Sequence, residues 1–132
     1  MKLVVDTNVL VRAVMRDDLA QAKVAAKVLQ TAQLVAVPMP TLCEFVWVLR
    51  KVYGVQTPDI AAAIRALVAA SNVQVNRPAV DAGLLMLEAQ GDFADGAIAY
   101  EGSWLGGETF VSFDKRAVAL LTAQGRAARL LQ

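Results

Sequence analysis

Leu3-Val4-Val5-Asp6-Thr7 decides how the rest of the chain is read, because a run of three apolar residues stops there at a carboxylate. The run is continuous rather than alternating, which suits a strand covered on both faces in a parallel sheet. Such a strand delivers Asp6 to its C-terminal end, and in open α/β sheets the ligand crevice lies just beyond those ends. The plainer reading is that Asp6, Thr7 and Asn8 cap a helix beginning near Val9, since all three types satisfy orphan backbone donors. A second copy of the arrangement moves the balance toward chemistry. Thr109-Phe110-Val111-Ser112-Phe113 is strand-like and also ends on an aspartate, Asp114. Two strand ends presenting carboxylates can converge on one point.

Between these stretches, strands alternate with helices. Periodicity predicts helices over about 9–15 and 19–32, a strand over 34–37 closed by Pro38 and Pro40, and a helix over about 41–52 ended near Gly54. Thr57-Pro58-Asp59 reads as N-cap, N1 and N2 of a helix to about residue 70. A short strand over 73–75 and a helix over 79–90 follow. A further helix starts at or near Asp92 and runs through Ala99, leaving Gly102, Gly106 and Gly107 as a loop. The last helix spans 115–123, with Leu130-Leu131 as a possible edge strand. This order predicts an α/β fold with a mostly parallel sheet.

The 132 residues suffice for one domain, and no linker, repeat or low-complexity tract divides them. Hydrophobic residues make up 57% of the chain, an apolar surplus that predicts burial against a partner and favours a homo-oligomer. Arg50, Arg65, Arg77 and Glu88 interrupt every candidate membrane span, and only three apolar residues stand between Lys2 and Asp6, so a cytoplasmic protein is expected. The lone Cys43 reads as core packing. With no histidine, nucleophile systems built on His and histidine-ligated zinc are excluded. Any enzyme here works through carboxylates, whose natural companion is a hard cation such as Mg²⁺ or Mn²⁺. A net charge of +1 says nothing of partners.

Most of the twelve acids have ordinary explanations. Asp17, Asp18, Asp59 and Asp81 fall at expected helix starts, and Glu88, Glu101 and Glu108 read as solvated. Glu44 resists, because it interrupts Leu42-Cys43-Glu44-Phe45-Val46-Trp47-Val48-Leu49, apolar almost all round; a carboxylate buried there needs a cation, either a metal or an arginine such as Arg12 or Arg16. Asp95 lies similarly in the first turn of an apolar helix, with Asp92 three residues earlier. If Asp6, Glu44, Asp95 and Asp114 meet, each ionised pair near 4 Å repels by ~4 kcal/mol at an effective dielectric of 20. Raised pKa values or a bound divalent cation would answer that repulsion.

Four segments now stand in order: Val5-Asp6-Thr7-Asn8, Glu44, Asp92-Phe93-Ala94-Asp95-Gly96-Ala97-Ile98-Ala99 and Val111-Ser112-Phe113-Asp114-Lys115. In this order and spacing the chain resembles the PIN-domain ribonucleases, and most of all the VapC-type toxins of toxin-antitoxin pairs. The resemblance implies one PIN-like domain over residues 1–132, with a central parallel sheet flanked by helices and an acidic pocket holding Mg²⁺ or Mn²⁺. It places the catalytic, metal-holding acids on Asp6, Glu44, Asp95 and Asp114, with Thr7, Asn8, Ser112 and Asp92 auxiliary. It also implies RNA as substrate, a homodimer and a cognate VapB-like antitoxin. Gly96 departs from the alanine more usual in the family, which puts local helix rigidity in question.

The chemistry so implied is metal-assisted hydrolysis of RNA phosphodiesters, with Glu44 a ligand or the base that orients water. Arg12 and Arg16, four apart, are candidates to hold RNA phosphates, though solvated helix charges account for them better. Two rivals stay open. An aspartyl-phosphate phosphotransferase also carries an aspartate after its first strand, but a second aspartate is usual where this chain has Asn8. A non-catalytic partner-binding α/β domain would instead use its acids to receive a basic peptide, with Phe45, Val46, Trp47 and Leu49 as its interface.

Overall fold

Strand β1 (Lys2–Val4) opens the computed structural model, which describes residues 1–132. It pairs in parallel with β2 (Leu34–Ala36), Leu3 against Val35, and β2 pairs in parallel with β3 (Val73–Gln74). The order β1-β2-β3 leaves β1 at an edge. Val35 on the central strand is fully buried, whereas Val4 is 75% exposed, so β1 is not covered on both faces as its apolar run predicts. Helices α1 (Thr7–Met15) and α2 (Leu19–Thr31) separate β1 from β2. Helices α3 (Met39–Lys51) and α4 (Thr57–Ala69) separate β2 from β3. Together these make a first compact unit, Met1–Asn76, whose core holds Leu10, Leu42, Phe45, Leu49, Ile60 and Ile64.

Helix α3 starts two residues before its expected boundary. Pro38 is its N-cap and Pro40 sits in the first turn, where proline's missing N–H has no intrahelical partner to lose and its φ is already helical. The same logic shifts α4 by one position: Gln56 is the N-cap and Pro58 follows Thr57 inside the helix.

The second unit, Arg77–Gln132, holds α5 (Arg77–Glu88), α6 (Phe93–Trp104), β4 (Phe110–Ser112), α7 (Lys115–Ala123) and β5 (Ala128–Leu130). β4 and β5 form a two-stranded parallel sheet, Val111 against Arg129. Asp81 is not at a helix start but inside α5, paired with Arg77 at 3.3 Å one turn back. Helix α6 runs five residues past Ala99, so Gly102 is helical rather than part of the loop. The last helix matches its expected span, and β5 forms two residues before the expected edge strand.

Two glycines fix how α5 meets α6. A Cβ on Gly96 would stand 2.3 Å from the Ala82 carbonyl oxygen and 2.9 Å from Met86 Cγ, and one on Gly83 would stand 2.5 Å from the Phe93 ring. Each helix therefore presents a bare backbone where the other approaches. Gly96 does not loosen α6, as its helix propensity suggests; it permits the close crossing that holds α6 in place.

Candidate active site

Asp6 occupies the junction where β1 gives way to α1. Its backbone is extended (φ −82°, ψ 156°), and its Oδ1 accepts the Thr7 backbone N–H at 2.8 Å, so the side chain caps the helix as well as facing solvent. Thr7 itself is buried, and Asn8 is exposed on the next position of α1. The Thr41 hydroxyl donates to the Val5 carbonyl at 3.3 Å and ties the start of α3 to the residue before Asp6. Glu44 lies three positions after Thr41, on the same side of α3.

Glu44 is exposed, and Trp47, the next residue along that side, is 58% exposed. The expectation of a buried carboxylate seeking an arginine is corrected here. Leu42, Phe45, Val46 and Leu49 take the core face, so three of the four residues read as a partner surface are interior. Arg12 is engaged elsewhere: it meets Asp17 at 3.2 Å, donates to Gln21 at 2.7 Å and to the Tyr53 hydroxyl at 3.3 Å. The Tyr53 hydroxyl, followed by the Asp17 charge, raises the Arg12 pKa, and the hydrogen bond from Tyr53 is the main force holding Asp17 low. Arg16 closes α1 in the left-handed region at φ 57°.

In the second unit, the charges of two of the expected acids, Asp92 and Asp114, act on a third, Asp95. Asp92 caps α6 by accepting from the Ala94 N–H at 3.0 Å. Asp95 is half-buried in the first turn, and its carboxyl is raised above the ordinary aspartate value by desolvation first, then by the charges of Asp92 and Asp114. Asp114 caps α7, accepting from the Arg116 and Ala117 N–H groups at 2.9 and 3.1 Å. Ser112, expected only as an auxiliary, accepts the Asp114 N–H at 2.9 Å and sets the turn that aims the carboxylate.

Sequence reasoning missed Arg116. Its Nε donates to the Gln90 carbonyl at 3.0 Å, pinning the start of α7 to the turn between α5 and α6, and Gln90 adopts a left-handed φ of 70° there. Only the position of Arg116, two residues past Asp114, hints at this, because a surface arginine carries no sequence signal of its own.

The sequence profile described as PIN domain matches residues 3–120. The chain belongs to the PIN domain family. PIN domains are mixed α/β nucleases, and the seven helices and three-stranded parallel sheet agree with that fold. No curated protein matches the chain. PIN nucleases typically use divalent metals, and the donors here, all carboxylates, are of the kind Mg²⁺ and Mn²⁺ prefer. The raised Asp95 carboxyl marks a spot where positive charge would relieve repulsion. No group of three or more His, Cys, Asp or Glu side chains is already gathered around an ion-sized space. No helix of this PIN domain is long and apolar enough to cross a membrane.

Proposed function

We propose that this PIN domain is a VapC-like toxin, a metal-dependent endoribonuclease of the cytoplasm that acts as a single domain, associates as a homodimer and is restrained by a cognate antitoxin. The observation that carries the reading is the set of aspartates held at element boundaries, Asp6 before α1, Asp92 and Asp95 opening α6 and Asp114 before α7, with Glu44 inside α3. Asp6, Asp95 and Asp114 are assigned to the cation, with Glu44 as a further ligand or the base that orients the attacking water. Mg²⁺ or Mn²⁺, when bound, neutralises charge developing on the phosphoryl oxygens.

The chain's own groups do the positioning. Ser112 and the α7 N–H groups hold Asp114, and Thr41 steers the Glu44 side of α3 toward the end of β1. A groove of about 380 Å³ between α1 and α2, lined by Val9, Ala20, Val24 and Val28 beside Asn8, supports the antitoxin part of the reading. A partner's apolar side chain seated there would stand close to Asp6 along the chain.

Incubation with tRNA and rRNA in Mg²⁺, against Asp6→Asn, tests the proposal. The variant is expected to lose about 10²–10³-fold in cleavage rate, the cost of removing one group that stabilises the transition state. Equal cleavage by both proteins, or cleavage that persists in EDTA, would refute it. Trapping of a phosphorylated Asp6 would favour the phosphotransferase instead.

A further inference from the structure

We propose that a cleft at the C-terminal end of α6 is a subsite for an unpaired guanine base of single-stranded RNA, an inference that rests on the ribonuclease reading and gives it a sequence preference. The cleft has a volume of about 440 Å³ and lies wholly in the second unit. Ile98 and Phe110 supply apolar walls, and the backbone at Gly102 leaves open space where a side chain would stand. A planar base with two apolar faces suits such walls better than a flexible chain does.

The polar groups select among bases. Arg126 and Glu108 both line the cleft. Guanine offers the acceptors O6 and N7 to a guanidinium fork and the donors N1–H and N2–H₂ to a carboxylate, so one base satisfies both charges. Adenine has no N1–H and N2–H₂ pair for the carboxylate. A phosphate would satisfy Arg126 but would be repelled by Glu108, which turns the observation toward a base and away from the RNA backbone.

Arg126 is held ready by aromatic neighbours. Its guanidinium lies 6.0 Å from the centroid of the Tyr100 ring, and the Trp104 indole N–H donates to the Tyr100 hydroxyl. Trp104 is 76% exposed and Leu105 90% exposed, an apolar surface on which a base adjoining the bound one can stack. Glu108 and Thr109 precede β4 while Asp114 follows it, so strand β4 separates the subsite from that carboxylate by roughly 17 Å at about 3.3 Å per residue. A few nucleotides of extended strand cover that distance.

The test uses the full chain carrying Asp6→Asn, in EDTA, titrated with oligouridine containing a single guanosine or a single adenosine and read by tryptophan fluorescence and calorimetry. The guanosine oligomer is expected to bind about tenfold more tightly, the discrimination of one bidentate pairing. Glu108→Gln, at an exposed position, is expected to abolish the preference without lowering Tm, and Arg126→Ala to weaken binding of the guanosine oligomer to the adenosine level. Equal affinity for the two oligomers, or a preference surviving both variants, overturns the subsite. In a separate arm with the wild type in Mg²⁺, cleavage of both oligomers without base preference refutes the subsite alone, and guanosine preference in binding with no cleavage by the wild type refutes the nuclease reading alone.

Discussion

Asp95 shows how a single residue couples the site to pH. Desolvation and the charges of Asp92 and Asp114 raise its carboxyl, so folding favours its protonated form. The stabilising contribution is therefore complete below the ordinary aspartate value of 3.8 and is lost as pH rises through the folded-state value. At pH 7, without metal, the ionised side chain destabilises the fold. Asp95→Asn is expected to raise Tm at pH 7 and to lose that advantage near pH 3, checked by thermal denaturation across pH in EDTA. The sequence disclosed this acid through its neighbours, since a charge in the first turn of Phe93-Ala94-Asp95-Gly96-Ala97 stands among apolar residues. Glu44 was misread by the same argument, because Trp47 made an exposed side of α3 look interior.

Among elements, the helix starts do double duty, and substitutions separate the two roles. Asp114 caps α7 through two backbone N–H groups and is also assigned to the cation. Asp114→Asn keeps a side-chain oxygen for the cap and removes the charge, so Tm is expected to change little while cleavage falls. Asp114→Ala removes both, and is expected to lower stability by about 1 kcal/mol besides. Calorimetry beside a cleavage assay distinguishes the pair. The starts of α2, α6 and α7 were legible because Asp18, Asp92 and Asp114 mark them chemically, whereas Pro40 and Thr57 misplaced the starts of α3 and α4 by one or two residues. The C-terminus of α6 was not legible, since Gly102 inside a helix resembles the glycines that end one. The Arg116 tie to Gln90 and the bare contact of α5 with α6 depend on spacing in three dimensions, which no pattern of residue types records.

For the whole molecule, charge distribution matters more than its sum. Residues 1–76 carry eight basic and five acidic side chains, and residues 77–132 five basic and seven acidic, so a net of +1 hides a basic and an acidic unit. A divalent cation that binds the folded acids should stabilise the protein by mass action. Mn²⁺ is expected to raise Tm of the wild type progressively with concentration, by the equivalent of about 2.7 kcal/mol at one hundred times its Kd. Asp6→Asn and Asp95→Asn should each blunt that response in a thermal-shift titration. The apolar surplus, read as a sign of partners, is visible as Val4, Val24, Trp47, Trp104 and Phe113 on the surface.

The glycine at position 96 has a further consequence, because it adjoins Asp95. Any side chain there must push against the Ala82 backbone of α5, which cannot yield as a flexible side chain would. Gly96→Ala is expected to cost about 1–3 kcal/mol, the usual toll of forced overpacking, and to shift the neighbouring carboxylate with the helix. Thermal denaturation of Gly96→Ala beside the wild type checks that cost, and a fall in Tm of several degrees is the expected result. The melting temperature of that variant reads the distance between two helices.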